Sequence, residues 1–207
     1  RHVCPRHHAK DGSTADVSMD WRDRIANYEK ETGFPVSMGI GGDGRAFGIF
    51  RMGNDYRVKS GYHGGYPATY LRRVKTLFPD KKHVLHLFSG KVDTVEMPGH
   101  TVDIVPELNP TYVDDAHALE NVPVDMYDLI LADPPYTDED ADRYGTSGVK
   151  RNRVMDALSR CRAGTHLVVL DQVLWMYRKD TWNLEAEVGI VKSTNHRFRV
   201  MVVWSRR

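Results

Sequence analysis

From Lys82 onward the chain alternates short, almost continuously apolar runs with polar connections: HVLHLFSG (83–90), HTVDIVPE (100–107), TYVDDA (111–116), YDLILADPPY (127–136), HLVVLDQVLW (166–175), EVGIVKST (187–194) and FRVMVVWSRR (198–207). A strand buried on both faces reads as an apolar run without polar alternation. Several such runs at this spacing predict parallel strands covered by helices on both faces, a doubly wound α/β fold with a mostly parallel sheet. The last two runs flank a short turn containing Asn195 and are expected to pair as an antiparallel hairpin on the sheet edge.

The rest of the chain is organised differently. Residues 1–30 are polar, rich in His, Asp and Arg, and show little periodicity before Trp21; they read as an arm with one short helix around 21–28. Over 36–58 the runs VSMGI and AFGIF flank Gly41-Gly42-Asp43-Gly44, whose glycines suit a tight reversal, so a β-hairpin is expected. Leu71, Val74, Leu77 and Phe78 lie at helical spacing over 68–78, with Pro67 placed as a first helical residue and Pro79 as a stop. The division expected is an N-terminal arm and hairpin extension over 1–60, followed by the main domain over 61–207. A chain of 207 residues supplies one core with an appendage, not two independent cores.

Composition excludes several classes. Hydrophobic residues at 41% and charged residues at 28% are close to globular averages, which argues against a disordered, collagen-like or coiled-coil chain. Two cysteines, Cys4 and Cys161, build neither a disulfide framework nor a four-cysteine zinc site. Cys4, His7 and His8 match no zinc spacing, so no metal is expected. No run approaches the roughly 20 apolar residues of a membrane span, and a soluble, cytoplasmic protein is expected. The net charge of +1 leaves any affinity for nucleic acid to local patches.

VLHLFSG at 84–90, the acidic Asp103 ending the next run, Asp114-Asp115-Ala116, and Ala132-Asp133-Pro134-Pro135-Tyr136 resemble, in this order, S-adenosylmethionine-dependent class I methyltransferases of the amino-group-modifying DNA type. The resemblance covers roughly residues 61–207, and the Asp-Pro-Pro-Tyr element is its most specific part. It implies a Rossmann-like methyltransferase fold, S-adenosylmethionine as cofactor, and methyl transfer to an exocyclic amino group, adenine N6 in DNA being favoured. It also implies that Phe88, Ser89 and Gly90 form the cofactor loop, that Asp115 or Asp114 accepts a hydrogen bond from the cofactor's adenine, and that Tyr66 and Pro67 help hold its methionine end.

Each of these pieces has a physical reading of its own. A strand ending in Phe-Ser-Gly delivers the chain to the carboxyl edge of the sheet, where open α/β folds bind ligands. A carboxylate at Asp103 matches a ribose diol, two acceptors for two donors; its bland alternative, as for Asp115, is a loop residue or helix cap. Asp133 follows a buried strand, and two prolines stiffen the exit. The amino group of adenine or cytosine is a poor nucleophile because its lone pair is delocalised into the ring. The Asp133 carboxylate and the Pro134 carbonyl suit its two hydrogens, aligning the nitrogen with an activated methyl group. Tyr136 suits stacking on an extruded base, and the bland alternative for the whole motif is a turn with a surface tyrosine. After the motif, a polar stretch with Tyr144 ends in Lys150, Arg151 and Arg153. It reads either as a substrate clamp holding phosphates or as an exposed loop. Arg72, Arg73 and Lys75 read either as part of the ligand-holding segment or as a solvated basic helix face.

Two departures from the family pattern bear on function. The second glycine of the cofactor loop is absent, and only KVDTVEMPGH separates Gly90 from the next strand, so the first crossover helix is expected to be short or replaced by a loop. There is also no room for a separate target-recognition region, so base readout is expected from the hairpin and arm, the loop after Tyr136, or a partner chain or second copy. An RNA base amino-methyltransferase and a catalytically silent subunit binding nucleic acid or a partner are the alternatives.

Overall fold

The structure is a computed structural model that describes residues 18–35, 37–53, 65–136, 148–192 and 198–207. Tyr144, Cys4, His7 and His8 lie outside the described residues.

The nine strands of the described residues belong to one sheet. They are β1 (Met38–Ile40), β2 (Ala46–Met52), β3 (Val84–Leu87), β4 (His100–Asp103), β5 (Tyr112–Val113), β6 (Leu129–Ala132), β7 (His166–Asp171), β8 (Trp182–Lys192) and β9 (Arg199–Arg206). Their order across the sheet is β1-β2-β8-β9-β7-β6-β3-β4-β5. β3 to β7 run parallel to one another, whereas β9 is antiparallel to both β7 and β8. The chain leaves β3 toward β4 and β5, then returns to β6 and β7 on the other side. The switch point between β3 and β6 opens a crevice at the carboxyl edge, where doubly wound sheets bind ligands. With the antiparallel β9 inserted between β7 and β8, this is the Rossmann-like methyltransferase fold.

Every expected strand is present, and the β1–β2 hairpin reverses at the expected glycines. The β8–β9 hairpin forms as expected, but it is interior to the sheet and not at its edge. β2 pairs in parallel with β8 from Ala46↔Ala186 to Met52↔Lys192, carrying the sheet two strands further. No local pattern encodes this, since β2 and β8 are well over a hundred residues apart; the pairing hydrogen-bonds an edge that would otherwise be open.

Strand alternation divides the core in two. Leu129 and Leu131 of β6 with Val168 and Leu170 of β7 face one layer, against α1 (Trp21–Thr32) and α2 (Tyr70–Leu77). Ile130, Ala132, Leu167 and Val169 face the other, against Val154, Met155 and Leu158 of α3 (Arg151–Leu158) and Trp175, Trp182 and Trp204. Helix α1 starts at Asp20, whose side chain accepts from the Asp23 N–H, and ends at Gly33 in the left-handed conformation. Buried Arg24 ties it to the turn after α2, with Nη1 and Nη2 at 2.6 and 2.9 Å from the Asp80 carboxylate and Nη1 at 2.8 Å from the Leu77 carbonyl. Helix α2 begins at Tyr70, three residues after Pro67, so Pro67 is not its first residue; its carbonyl accepts from the Tyr70 N–H.

Residues 88–99 between β3 and β4 form turns and no helix. The ten residues after Gly90 are too few for a crossover helix, and Met97 fills part of that layer, with its carbonyl 3.0 Å from Nε2 of the buried His86. No described helix is long and apolar enough to cross a membrane.

Candidate active site

Asp133 lies immediately beyond β6 at the switch point. By strand alternation it follows Leu129 and Leu131 onto the α1–α2 side of the sheet. The Tyr136 hydroxyl donates to Asp133 Oδ1, and among the described residues no partner reaches Oδ2. Burial pushes the Asp133 carboxyl up to about 6. The Tyr136 hydrogen bond and the Arg199 charge oppose that rise, and Asp171 adds to it. Burial likewise raises the Tyr136 phenol, with the Asp133 charge reinforcing the effect. Pro134 is buried, and its carbonyl accepts no hydrogen bond from a described residue.

The motif is held from the side by Arg199 and Asp171, which the sequence reading did not pick out, together with Arg151. Arg199, the first residue of β9, places its guanidinium carbon 4.7 Å from the Tyr136 ring centroid. At the end of β7, fully buried Asp171 accepts from Arg151 Nε at 2.7 Å, Trp175 Nε1 at 2.6 Å and the Gln172 N–H at 2.6 Å. Arg151 Nη2 also donates to the Tyr136 carbonyl at 3.3 Å, and Nη1 to the Val149 carbonyl at 3.4 Å. Arg151 therefore braces the motif from inside and is not displayed for phosphate contact as its place in a basic cluster suggested. Lys150 and Arg153 are exposed.

At the end of β3, Phe88 and Gly90 both adopt positive φ, 54° and 50°, which folds the chain sharply off the strand. For Phe88 this is an unusual, strained conformation, of the kind that surrounding structure sustains at functional sites. Asp103 fixes this turn, accepting from Gly90 N at 2.8 Å on Oδ2 and from Val105 N at 3.0 Å on Oδ1. Each oxygen keeps a second lone-pair direction, so the carboxylate both shapes the loop and retains acceptor capacity. Ser89 is buried, its N–H 3.1 Å from the Val102 carbonyl.

Asp114 closes the next loop through Asp115 N and Asn121 N, at 2.8 and 2.7 Å. Asp115 Oδ1 accepts from His117 N at 2.9 Å and lies 2.7 Å from His117 Nδ1. The Lys150 N–H donates to His117 Nε2 at 2.9 Å, which makes Nε2 the acceptor and leaves the ring proton on Nδ1. This relay joins the loop at Asp115 to the start of α3. Neither His117 nor the contribution of Lys150 through its backbone had a sequence signal beyond proximity to Asp115.

Tyr66 and Tyr70 stack with centroids 5.0 Å apart and planes 11° from parallel. Both hydroxyls are buried, and neither has a hydrogen-bond partner among the described residues. Thr69 between them has φ 69°, rare for a β-branched residue. Pro67 is buried beside them. Arg73, on the same helix, is buried: Nη1 donates to the Tyr28 hydroxyl and Nη2 to the Arg51 carbonyl at 3.1 Å, so it joins α1, α2 and β2 and is not part of a solvated face.

These residues are compatible with S-adenosylmethionine: a tight strand-to-loop turn, a carboxylate beside it with spare acceptor capacity, and a second carboxylate one strand away. No protein-family model matches the sequence, and no curated protein matches it. Among solved structures, the chain is similar to the N-methyltransferase NodS from Bradyrhizobium japonicum WM9 in complex with S-adenosyl-L-homocysteine, at 10% identity over 61% of this chain and 78% of that chain, with a TM-score of 0.44. It is also similar to an rRNA methylase from Streptococcus thermophilus, at 10% identity over 61% of this chain and 88% of that one, with a TM-score of 0.40. The assignment of fold rests on the strand order, not on these likenesses.

Proposed function

We propose that the protein transfers a methyl group from S-adenosylmethionine to the exocyclic amino group of a nucleic-acid base, adenine N6 in DNA being the favoured target. The observation that carries this reading is Asp133 at the switch point, a carboxylate with one oxygen unpartnered among the described residues, followed by a Pro134 carbonyl that likewise accepts no hydrogen bond from a described residue. Phe88, Ser89, Gly90, Asp103, Asp115, Tyr66 and Pro67 would hold the cofactor, whose sulfonium supplies an activated methyl carbon.

Asp133 Oδ2 and the Pro134 carbonyl accept the two amine hydrogens and turn the nitrogen lone pair toward the methyl group. The Tyr136 hydroxyl yields its place on Asp133, and its ring stacks on the extruded base, an interaction worth about 1–3 kcal/mol per base in single-strand binders. Arg151 keeps the Tyr136 backbone in place while the side chain moves. With a pKa near 6, Asp133 is ionised at neutral pH and close enough to neutrality to take the proton that the methylated nitrogen releases. Exposed Lys150 and Arg153, at the start of α3, suit phosphate contacts.

The test is titration with S-adenosylmethionine and S-adenosylhomocysteine, followed by labelled transfer to unmodified duplex DNA, single-stranded DNA and RNA. Binding with transfer to DNA supports the reading; transfer to RNA alone moves the substrate class. Absence of binding at millimolar concentration removes the enzyme and leaves a silent subunit, the reading favoured by the helix-less β3–β4 connection.

A further inference from the structure

Two cations stand side by side at the carboxyl edge of the sheet, and among the described residues neither is bonded to a carboxylate. Arg199 opens β9 opposite Ile190 of β8, and Lys192 closes β8 two residues further on. Strand alternation puts both on the face that carries Val188, Ile190, Met201 and Val203, the face that Asp133 also joins. The Arg199 guanidinium carbon lies 4.7 Å from the Tyr136 ring centroid, and its Nε is buried without a hydrogen-bond partner. Both side chains are only half-buried, so solvent and ligands reach them. Burial lowers the Lys192 ammonium, and the Arg199 charge adds to that effect, as two neighbouring cations require.

A guanidinium stacked on a ring keeps its N–H donors in its own plane, where they are free to bond, and an ammonium beside it adds three more. That set matches an anion with several acceptor oxygens. The carboxylates of the motif do not fill the place: Asp133 takes the Tyr136 hydroxyl, and Asp171 is engaged by Arg151, Trp175 and the Gln172 N–H. We propose that Arg199 and Lys192 bind a backbone phosphate of the nucleic-acid strand, next to the nucleotide whose base enters beside Tyr136. A phosphate suits the place better than the carboxylate of the cofactor, because β3 and β4, which carry the Phe88–Gly90 turn and Asp103, lie on the far side of β6 from β7, β9 and β8. This inference rests on the methyl-transfer reading and says where the strand is held. Arg199 and Lys192 serve substrate binding, whereas Arg151 braces the motif from inside.

The experiment uses the full chain with S-adenosylhomocysteine, which supports no turnover, and a fluorescein-labelled single-stranded oligodeoxynucleotide of randomised sequence. Anisotropy gives the affinity over a series of salt concentrations. One phosphate contact to a single strand contributes about 0.7 to the slope of log K against log salt. The double variant Lys192→Gln/Arg199→Gln is expected to flatten the slope by about that amount and to keep the wild-type affinity for S-adenosylhomocysteine, which shows that it is folded. Arg199→Lys, which keeps the charge, is expected to keep the slope, and so is Arg22→Gln, which removes an exposed charge at the first turn of α1. An unchanged slope in the double variant overturns the inference, as does an equal fall in Arg22→Gln, the mark of a general field effect. Weaker binding of S-adenosylhomocysteine by the double variant with an unchanged slope assigns the pair to the cofactor's carboxylate and overturns it as well. Wild-type protein that binds no oligodeoxynucleotide removes the DNA reading and this inference with it; wild-type binding with an unchanged slope in the double variant removes the inference alone.

Discussion

Tyr136 is folded onto the carboxylate three residues before it, its hydroxyl donating to Asp133 Oδ1 while Arg199 lies 4.7 Å from the centre of the same ring. Both elements of the expected base grip, acceptor and stacking ring, thus satisfy each other. On the methyl-transfer reading, a substrate amine takes the Asp133 oxygen that the phenol leaves open, and a base has to share or take the ring face that Arg199 covers. Tyr136→Phe removes the hydroxyl and keeps the ring, whereas Tyr136→Ala removes both. Steady-state kinetics is expected to show Phe retaining most of kcat/KM and Ala losing about tenfold or more, consistent with one stacked base. Equal loss in both would assign the hydroxyl a chemical role.

The pH dependence follows from the sign of the Asp133 shift. Its native pKa, about 6, lies above the ordinary 3.8, so the native state binds this proton more tightly than the unfolded chain does. The stabilisation from that proton is complete below about pH 4 and is lost as pH rises through 6, amounting to about 3 kcal/mol by pH 8. Asp133→Asn is therefore expected to raise stability at pH 8 by up to that amount and to change it little at pH 4, as denaturant titrations at the two pH values would show. Methyl transfer by the wild type is expected to rise as pH increases through about 6, because the ionised carboxyl is the acceptor. A pH-independent stability difference would contradict the assignment.

Asp171 is a buried carboxylate whose one cationic partner among the described residues is Arg151, alongside the Trp175 indole and a backbone N–H. Arg151→Ala leaves that charge uncompensated, a change that typically costs 3–5 kcal/mol, and also frees the Tyr136 carbonyl. Asp171→Ala strands the Trp175 N–H and the guanidinium. The double variant is expected to be less destabilised than the sum of the two, with a coupling of about 1–3 kcal/mol in a thermodynamic cycle. Additive losses would mean that the pair does not act as a unit.

Cys161 is buried against the α3 layer, and burial pushes its thiol up to about 12, against the pull of Arg206 and Arg160. In a Cys4→Ser background it is expected to resist thiol reagents at pH 8 until the protein unfolds. Rapid labelling of the folded protein would contradict the burial described here.

Much of the fold was readable because buried parallel strands leave a local signature: β3, β6 and β7 are runs in which every side chain is covered. The missing helix after Gly90 was readable from chain length alone. The parallel pairing of β2 with β8 was not, because neither strand's pattern names a partner so distant in the chain. The motif at Asp133 was legible for the same reason as its strand. Its supports were not, since an arginine opening one strand and a carboxylate closing another show their relation only when β9 lies beside β7, with Val200 opposite Asp171. Asp171 had a faint signal in ending an apolar run as Asp133 nearly does.

The most direct test of the central claim is single-turnover transfer of a labelled methyl group to unmodified DNA by the wild type and by Asp133→Ala, with nucleoside analysis and a parallel titration of S-adenosylmethionine. The account predicts N6-methyladenine from the wild type, none from Asp133→Ala, and cofactor affinities within about tenfold of each other, roughly 1.4 kcal/mol. Undiminished transfer by Asp133→Ala would contradict it.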